Sequence, residues 1–434
     1  MRTVKWILPA LALCFSALPL TAQCGESSQN LAPPNTSANH GFAATRNGNL
    51  GGETSVSNVN IHTLLYPGHT TKVLAHYLPW WFDPQSRGVA VGYRSDDPAQ
   101  ALRTFQDMHA RGVDGVIVDW YGQNDGKGQP DTIDVAWHKS LPELAKLPDL
   151  SFAIMVDSGT YNFNRCKGCD VTQTVLSQLD YISHTYFSSR QYLRYDGRPV
   201  VFEFGLDWSG KVEWSRIQAA HPEIAWVHIH KQGFDRDDSA GAFVWVAPGL
   251  AAQKASVANL PELKEFYRYA RTEPAKIATG GVFKGFDDLL AAWAKPGEKH
   301  YMPQACGATW LQTFDLINQN YSTARQLPFV QLITWNDYEE GTALETGIDD
   351  CVTVQTSLSG DTLAVKLSHA ENVDHLELYE SAAGGKFRLV SRYAPQTAAI
   401  PLPASASGPL YLKAVGKPFF RNVVSAPIRT GREK

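Results

Sequence analysis

The sequence predicts an α/β fold: a (β/α)8 TIM barrel over residues 71–350, followed by a small C-terminal antiparallel β-sandwich over 351–434. Two observations lead there. Between 71 and 350, eight apolar runs of strand length alternate with longer helix-like segments, the pattern of a parallel sheet joined by helical crossovers. Beyond 350 the runs shorten and alternate, with Gly360-Asp361 and Gly384-Gly385 as turn signals.

The eight runs are 73–78, 113–118, 152–156, 199–204, 225–229, 242–246, 277–283 and 329–334. Their Val, Ile, Leu and Phe content is that of strands buried on both faces. Helical segments lie between them, such as 97–111, with Pro98 at a first-turn position, and 260–270. In the last part, 363–367, 376–379, 387–390 and 410–415 read as sandwich strands. No cluster of aromatics marks a sugar platform there, so this part reads as a cap or buttress of the barrel, with glycan binding as the alternative. No internal repeat is present.

Residues 1–22 have the three parts of a secretory signal peptide: Arg2 and Lys5, an apolar stretch, and small residues ending at Ala22. That stretch is too short to span a bilayer, and no other segment approaches the roughly 20 apolar residues of a membrane helix. The expectation is a secreted or periplasmic protein without a membrane span. The alternative is a lipid anchor at Cys24, which Gln23 disfavours because a small residue is wanted before the cysteine. Residues 23–70, rich in Asn, Ser, Gly and Thr, read as a flexible leader. Of the six cysteines, Cys14 leaves with the signal. In an oxidising compartment the preferred pairings are Cys166 with Cys169 and Cys306 with Cys351. Cys166-Lys-Gly-Cys169 as half a zinc site or a redox pair is the alternative.

With 39 basic and 43 acidic residues the formal charge is -4, and no Lys/Arg run offers nucleic acid an electrostatic footprint. The 12 Trp and 17 Tyr exceed what packing usually requires, and flat rings with a polar edge suit sugar faces as well as cores. The expected partner is a carbohydrate, bound by a monomer with no cofactor and no metal.

In a barrel of this kind the working residues come from the C-terminal ends of the strands. The first run leads into His76, Tyr77, Trp80 and Trp81, the second into Asp119, Trp120 and Tyr121, the third into Asp157, and the fourth carries Glu203. The fifth ends in His228-Ile229-His230-Lys231, the sixth carries Trp245, and the seventh leads to Phe286, Asp287 and Asp288. The eighth passes directly from FVQLIT into Trp335-Asn336-Asp337-Tyr338-Glu339-Glu340. Any one acid could be a structural group bonded to backbone amides, and Trp335 could be packing. Acids at five strand ends with aromatics beside them describe a deep polar cleft with stacking walls. His228 and His230, two apart on a strand, are expected to face the same way, which raises a metal site as a competing reading.

Two carboxylates, one to protonate a leaving oxygen and one to act as base or nucleophile, are what glycoside hydrolysis needs. Crowded like charges in an aromatic-lined cleft would raise the pKa of the acid.

Four stretches, LAHYLPWW at 74–81, GVDGVIVDWYG at 112–122, GFDD at 285–288 and TWNDYEEGT at 334–342, resemble the bacterial proteins related to glycoside hydrolase families 99 and 71. These families are (β/α)8 enzymes that cleave α-mannosidic and α-1,3-glucosidic bonds, respectively. The eighth-strand motif is a hybrid. Its Trp335-Asn336-Asp337-Tyr338 is similar to family 71, whereas Glu340-Gly341-Thr342 is similar to family 99, which has a Glu where this chain has Asp337. The resemblance implies Glu340 as general acid. It implies Asp337 as base, acting on water or on the sugar's own 2-hydroxyl. The remaining strand-end residues, His76, Tyr77, Trp80, Trp81, Asp119, Trp120, Tyr121, Asp157, Glu203, His228, His230, Lys231, Trp335, Asn336 and Tyr338, are expected to bind substrate. The expected function is an exported glycoside hydrolase acting on an α-linked poly- or oligosaccharide. A non-catalytic glycan-binding protein on the same barrel, or a metal-dependent hydrolase centred on His228 and His230, are the alternatives.

Overall fold

The computed structural model describes residues 56–82, 91–125, 129–162, 168–250, 260–289, 291, 293–295, 297–382, 386–406 and 408–430. The signal and leader expectations for residues before 56, and Cys166, lie outside the described residues; within 56–70 the chain is packed, with Ile61–Leu64 a 3-10 helix and Ile61, Leu65 and Tyr66 buried in the core. Eight strands form the barrel: β1 (Lys72–Tyr77), β2 (Gly115–Trp120), β3 (Ser151–Asp157), β4 (Arg198–Phe204), β5 (Ala225–Ile229), β6 (Gly241–Phe243), β7 (Ile277–Val282) and β8 (Phe329–Leu332). Their order is β3-β2-β1-β8-β7-β6-β5-β4, and β3 also pairs with β4, so the ladder closes. Every pairing in this ring is parallel. Closure and parallel direction together make a (β/α)8 barrel.

The longer helices are α1 (Pro98–Ala110), α2 (Thr132–Leu144), α3 (Val171–Thr185), α4 (Trp214–Ala220), α5 (Pro261–Ala270) and α6 (Ala308–Asn320). Asp97, Asp131 and Asp170 cap α1, α2 and α3 by accepting from the backbone amides of Ala99, Ile133 and Gln173. Pro98 and Pro261 stand in first turns, where a missing N–H costs nothing.

Alternation sorts the strand residues between two cores. Leu74, Ile117, Ala153, Met155, Val200, Phe202, Val227, Phe243 and Phe329 fill the lumen. Val73, Val116, Val118, Ile154, Val201, Trp226 and Val330 face the helix layer.

After the barrel come β9 (Thr353–Ser359), β10 (Thr362–Ser368), β11 (Val373–Ala382), β12 (Lys386–Tyr393), β13 (Ala399–Pro401), β14 (Leu410–Gly416) and β15 (Val423–Val424). They form two antiparallel sheets, ordered β9-β10-β13 and β12-β11-β14-β15. Leu363, Val365, Ile400, Leu376, Leu378, Leu410 and Leu412, drawn from both sheets, share one apolar cluster. The Cys306–Cys351 disulfide (S–S 2.02 Å) links the start of α6 to the segment before β9. Phe419 completes the attachment. Its ring lies 5.6 Å from Trp310 and 6.1 Å from Trp335, and the Arg111 guanidinium lies 5.2 Å from the rings of both Trp335 and Phe419. Arg111 is itself buried and paired with Asp107, and it donates to the carbonyls of Leu344 and Glu345. One guanidinium therefore ties α1, the loop after β8 and the C-terminal segment together.

Candidate functional site

The loop from Thr334 to Glu345 returns on itself at the C-terminal end of β8. Leu344 N–H donates to Thr334 O (3.0 Å), Glu345 N–H to Trp335 O (3.0 Å), and the Thr334 and Thr342 hydroxyls meet at 2.9 Å. Within it, Asp337 Oδ1 accepts from Glu340 N–H (3.0 Å), and Ala343 N–H donates to Asp337 O (3.0 Å). Asp287 N–H donates to Glu340 O (2.8 Å), so the Glu340 backbone is held on both sides. Gly341 takes φ +62, and a Cβ there would lie 3.1 Å from Asp287. The turn that presents Glu340 therefore needs a glycine next in sequence.

Glu340 Oε2 is shielded from solvent and has no hydrogen-bond partner. Burial, then the charge of Asp337, then Asp288, Asp119 and Glu339, push the Glu340 carboxyl well above its ordinary value. Asp119 is buried on the lumen side of β2, sharing the parity of Ile117, and its Oδ2 lies 3.8 Å from His76 Nε2. Burial lowers His76 to about 3, so its ring is neutral. Asp157, also raised by burial and then by Asp119, accepts from Gly159 N–H. Asp288 is fully buried and holds His300 through both carboxylate oxygens, to the backbone N–H (2.6 Å) and Nδ1 (3.1 Å). Glu340, Asp337, Asp119, Asp157 and His76 are thus gathered at one end of the barrel.

The structure places several of the expected substrate contacts away from this cluster. Trp120 shares the parity of Val118, faces the helix layer, donates to Asp134 Oδ1 of α2 (2.8 Å) and stacks on Tyr181. Tyr77 likewise packs outward, 5.8 Å from Phe105 of α1. Glu203 accepts from His228 Nδ1 (3.0 Å), Leu206 N–H (3.0 Å) and Ile229 N–H (3.4 Å), and the His228 ring sits between Trp214 and Trp226. This pair braces the outer layer, because Glu203 continues the Val201 face rather than the Phe202 face of β4. His230 lies beyond the end of β5 at φ +65, with its ring 6.3 Å from Trp208, so the two histidines do not share a face. Among the described residues no group of three or more His, Cys, Asp or Glu side chains is arranged to hold a metal ion. Lys231 pairs with Glu265 of α5 (2.5 Å).

Trp335 is fully buried under Phe419 and Arg111 and offers no face to a sugar. Asn336 is a clamp. Its Oδ1 accepts from Leu78 N–H (3.0 Å), its Nδ2 donates to Leu78 O (3.0 Å) and Tyr93 OH (3.1 Å), and its carbonyl accepts from Trp81 Nε1 (3.1 Å). Trp80, Trp81 and Tyr121 are buried in a separate apolar cluster against which Tyr338 packs, so Trp81 braces the LPWW turn instead of lining the cleft. Tyr338 OH donates to Glu345 Oε1 (2.5 Å).

Three residues that no strand-end motif marks also lie here: Trp208, Phe204 and the buried Lys284, which burial and Arg421 lower to about 7 and which donates to Ala343 O (2.5 Å) beneath the loop. Trp208, four residues past β4 in Gly205-Leu206-Asp207-Trp208, was the legible one, since a tryptophan in a strand-end turn is unusual.

No protein-family model matches the sequence, and no curated protein matches it. Among solved structures, the GH99 endo-α-mannosidase from Bacteroides thetaiotaomicron in complex with bis-tris-propane is similar at 17% identity and a TM-score of 0.47, over 64% of this chain and 87% of that chain. Another structure of the GH99 endo-α-mannosidase from that organism is similar at 18% identity and a TM-score of 0.46, over 63% and 87%. A glycoside hydrolase-like protein is similar at 13% identity and a TM-score of 0.44, over 63% and 86%.

Proposed function

We propose that this chain is an exported glycoside hydrolase that cleaves an α-linked poly- or oligosaccharide of α-mannan or α-glucan type, with Glu340 as general acid and Asp337 as base. The observation that carries the reading is the Glu340 carboxyl: shielded, without a hydrogen-bond partner on Oε2, and raised by burial and four neighbouring acids. A carboxyl in that setting holds its proton to a higher pH than a free one does and so has it to give. The proton passes to the glycosidic oxygen as the bond to the anomeric carbon breaks. In an inverting reaction Asp337 takes a proton from water as the water oxygen bonds to the anomeric carbon. In a retaining one it takes the proton of the sugar's 2-hydroxyl as that oxygen closes onto the anomeric carbon; water then opens the three-membered ring, giving its proton to the Glu340 carboxylate while Asp337 returns its own to the 2-oxygen. The anomer first released distinguishes the two. The antiparallel sheets act as a β-sandwich that buttresses the barrel. Export is supported by the signal-like first 22 residues and by the Cys306–Cys351 disulfide.

The test is reducing-end release from a panel of α-mannans and α-glucans by the mature protein, with Glu340→Gln alongside. The variant should lose about 10²–10⁴-fold in turnover, the usual contribution of a positioned general acid. Near-normal turnover in Glu340→Gln removes the assignment.

A further inference from the structure

The cleft has an aromatic wall that continues beyond its carboxylates. His76 meets Trp245 edge-on at 4.7 Å between ring centroids, Trp245 meets Phe204 at 5.0 Å, and Phe204 meets Trp208 at 5.6 Å. His76 lies in the lumen beside Asp119, and Trp208 lies on the loop that follows β4, so this run of rings leads from the acid cluster to the rim.

Trp208 is 60% exposed, more than any other large hydrophobic residue among those described. An indole left in water gains nothing for folding. Its position is nonetheless built. Gly205 takes φ +68, and a Cβ there would fall 2.1 Å from an indole carbon, so the ring lies directly against the Gly205 backbone. The loop beneath is anchored three ways: Leu206 N–H to Glu203 Oε2 (3.0 Å), Trp214 Nε1 to Asp207 Oδ1 (2.9 Å), and Arg236 Nη1 to Asp207 Oδ2 (2.9 Å). Arg236 is in turn fixed by Asp238 and stacks on Trp214. A ring held from one side by backbone and open to solvent is pre-organised to receive a flat apolar face.

We infer that Trp208 is a stacking platform for a sugar ring at a subsite removed from the scissile bond, and that the substrate is accordingly a chain spanning from Glu340 to this rim. The inference rests on the glycoside hydrolase reading and deepens it. Trp245 and Phe204 separate the platform from the acid cluster, so a single sugar held at Glu340 does not touch it, whereas an oligosaccharide does.

The test is calorimetric titration of the turnover-deficient Glu340→Gln protein with linear α-mannose and α-glucose oligosaccharides from disaccharide to hexasaccharide. The measurement is repeated with Trp208→Ala and with Gly205→Ala added separately. For the oligosaccharide that binds, Trp208→Ala should weaken hexasaccharide affinity about tenfold, the scale of one good stacking contact. The disaccharide should change much less, and the melting temperature should stay put because the side chain is exposed. Gly205→Ala, which displaces the indole without removing it, should reproduce the length-dependent loss. Tight hexasaccharide binding that neither substitution alters overturns the subsite and leaves the catalytic reading standing. An equal loss at every chain length overturns it too, since that is the signature of a disturbed cleft. Absence of binding by any of these sugars to the Glu340→Gln protein overturns the glycan reading and the subsite with it.

Discussion

Asn336→Leu separates two roles that an asparagine at a strand end can play. The side chain is fully buried, and its amide satisfies both backbone groups of Leu78 at 3.0 Å while Nδ2 also donates to the Tyr93 hydroxyl oxygen at 3.1 Å. Leucine has a similar volume and no polar atoms, so no large cavity opens, but Leu78 N–H and Leu78 O are left buried without partners. Each such orphan costs about 1–3 kcal/mol, giving an expected loss of about 2–6 kcal/mol. Tyr93 OH keeps its bond to Glu345 Oε1 at 3.0 Å and adds little to the sum. Against a typical stability of about 5–15 kcal/mol the loss is large and measurable by urea unfolding. Asn336→Asp keeps the acceptor for Leu78 N–H but turns a carboxylate oxygen toward Leu78 O, and should be at least as damaging. A variant that unfolds at the wild-type urea midpoint yet has lost substrate affinity would refute the clamp and return Asn336 to the substrate.

Glu340→Gln should also raise stability near neutral pH. A carboxyl whose folded pKa is raised binds more protons in the folded than in the unfolded state, so its contribution falls as pH rises above the unfolded value of about 4.3. The melting-temperature gain from the glutamine should therefore grow from acid toward neutral pH, and a gain independent of pH would contradict the buried-acid account. Glu203→Ala should lower unfolding free energy by about 2–4 kcal/mol, because His228 Nδ1, Leu206 N–H and Ile229 N–H lose their common acceptor. Unchanged stability with abolished turnover would place Glu203 back in the cleft.

The barrel was legible because each strand is a separate apolar run, and tertiary packing shifted most boundaries by only a residue or two. The run expected at 113–118 became Gly115–Trp120, whereas Ala225–Ile229 fell where expected. The sixth run, expected at 242–246, shortened to Gly241–Phe243, leaving Trp245 past the strand end, where it reaches both the lumen and Phe204. The charged loop after β8 was visible as a break in polarity. That its Trp335 and Asn336 serve as braces for Phe419 and Leu78 was not, because both partners are distant in sequence.

Sequence alone determined the alternation of strand and helix, the antiparallel character of the last part, and the concentration of acids at strand ends, since all three follow from local polarity and periodicity. The tertiary structure decided which acids share a cleft. A parallel strand buried on both faces carries apolar residues at every position, so its pattern does not mark the parity that faces the lumen. Asp119 and Trp120 are adjacent in sequence and point to opposite sides of the sheet, and only closure of the barrel turned one toward Glu340 and the other toward Asp134.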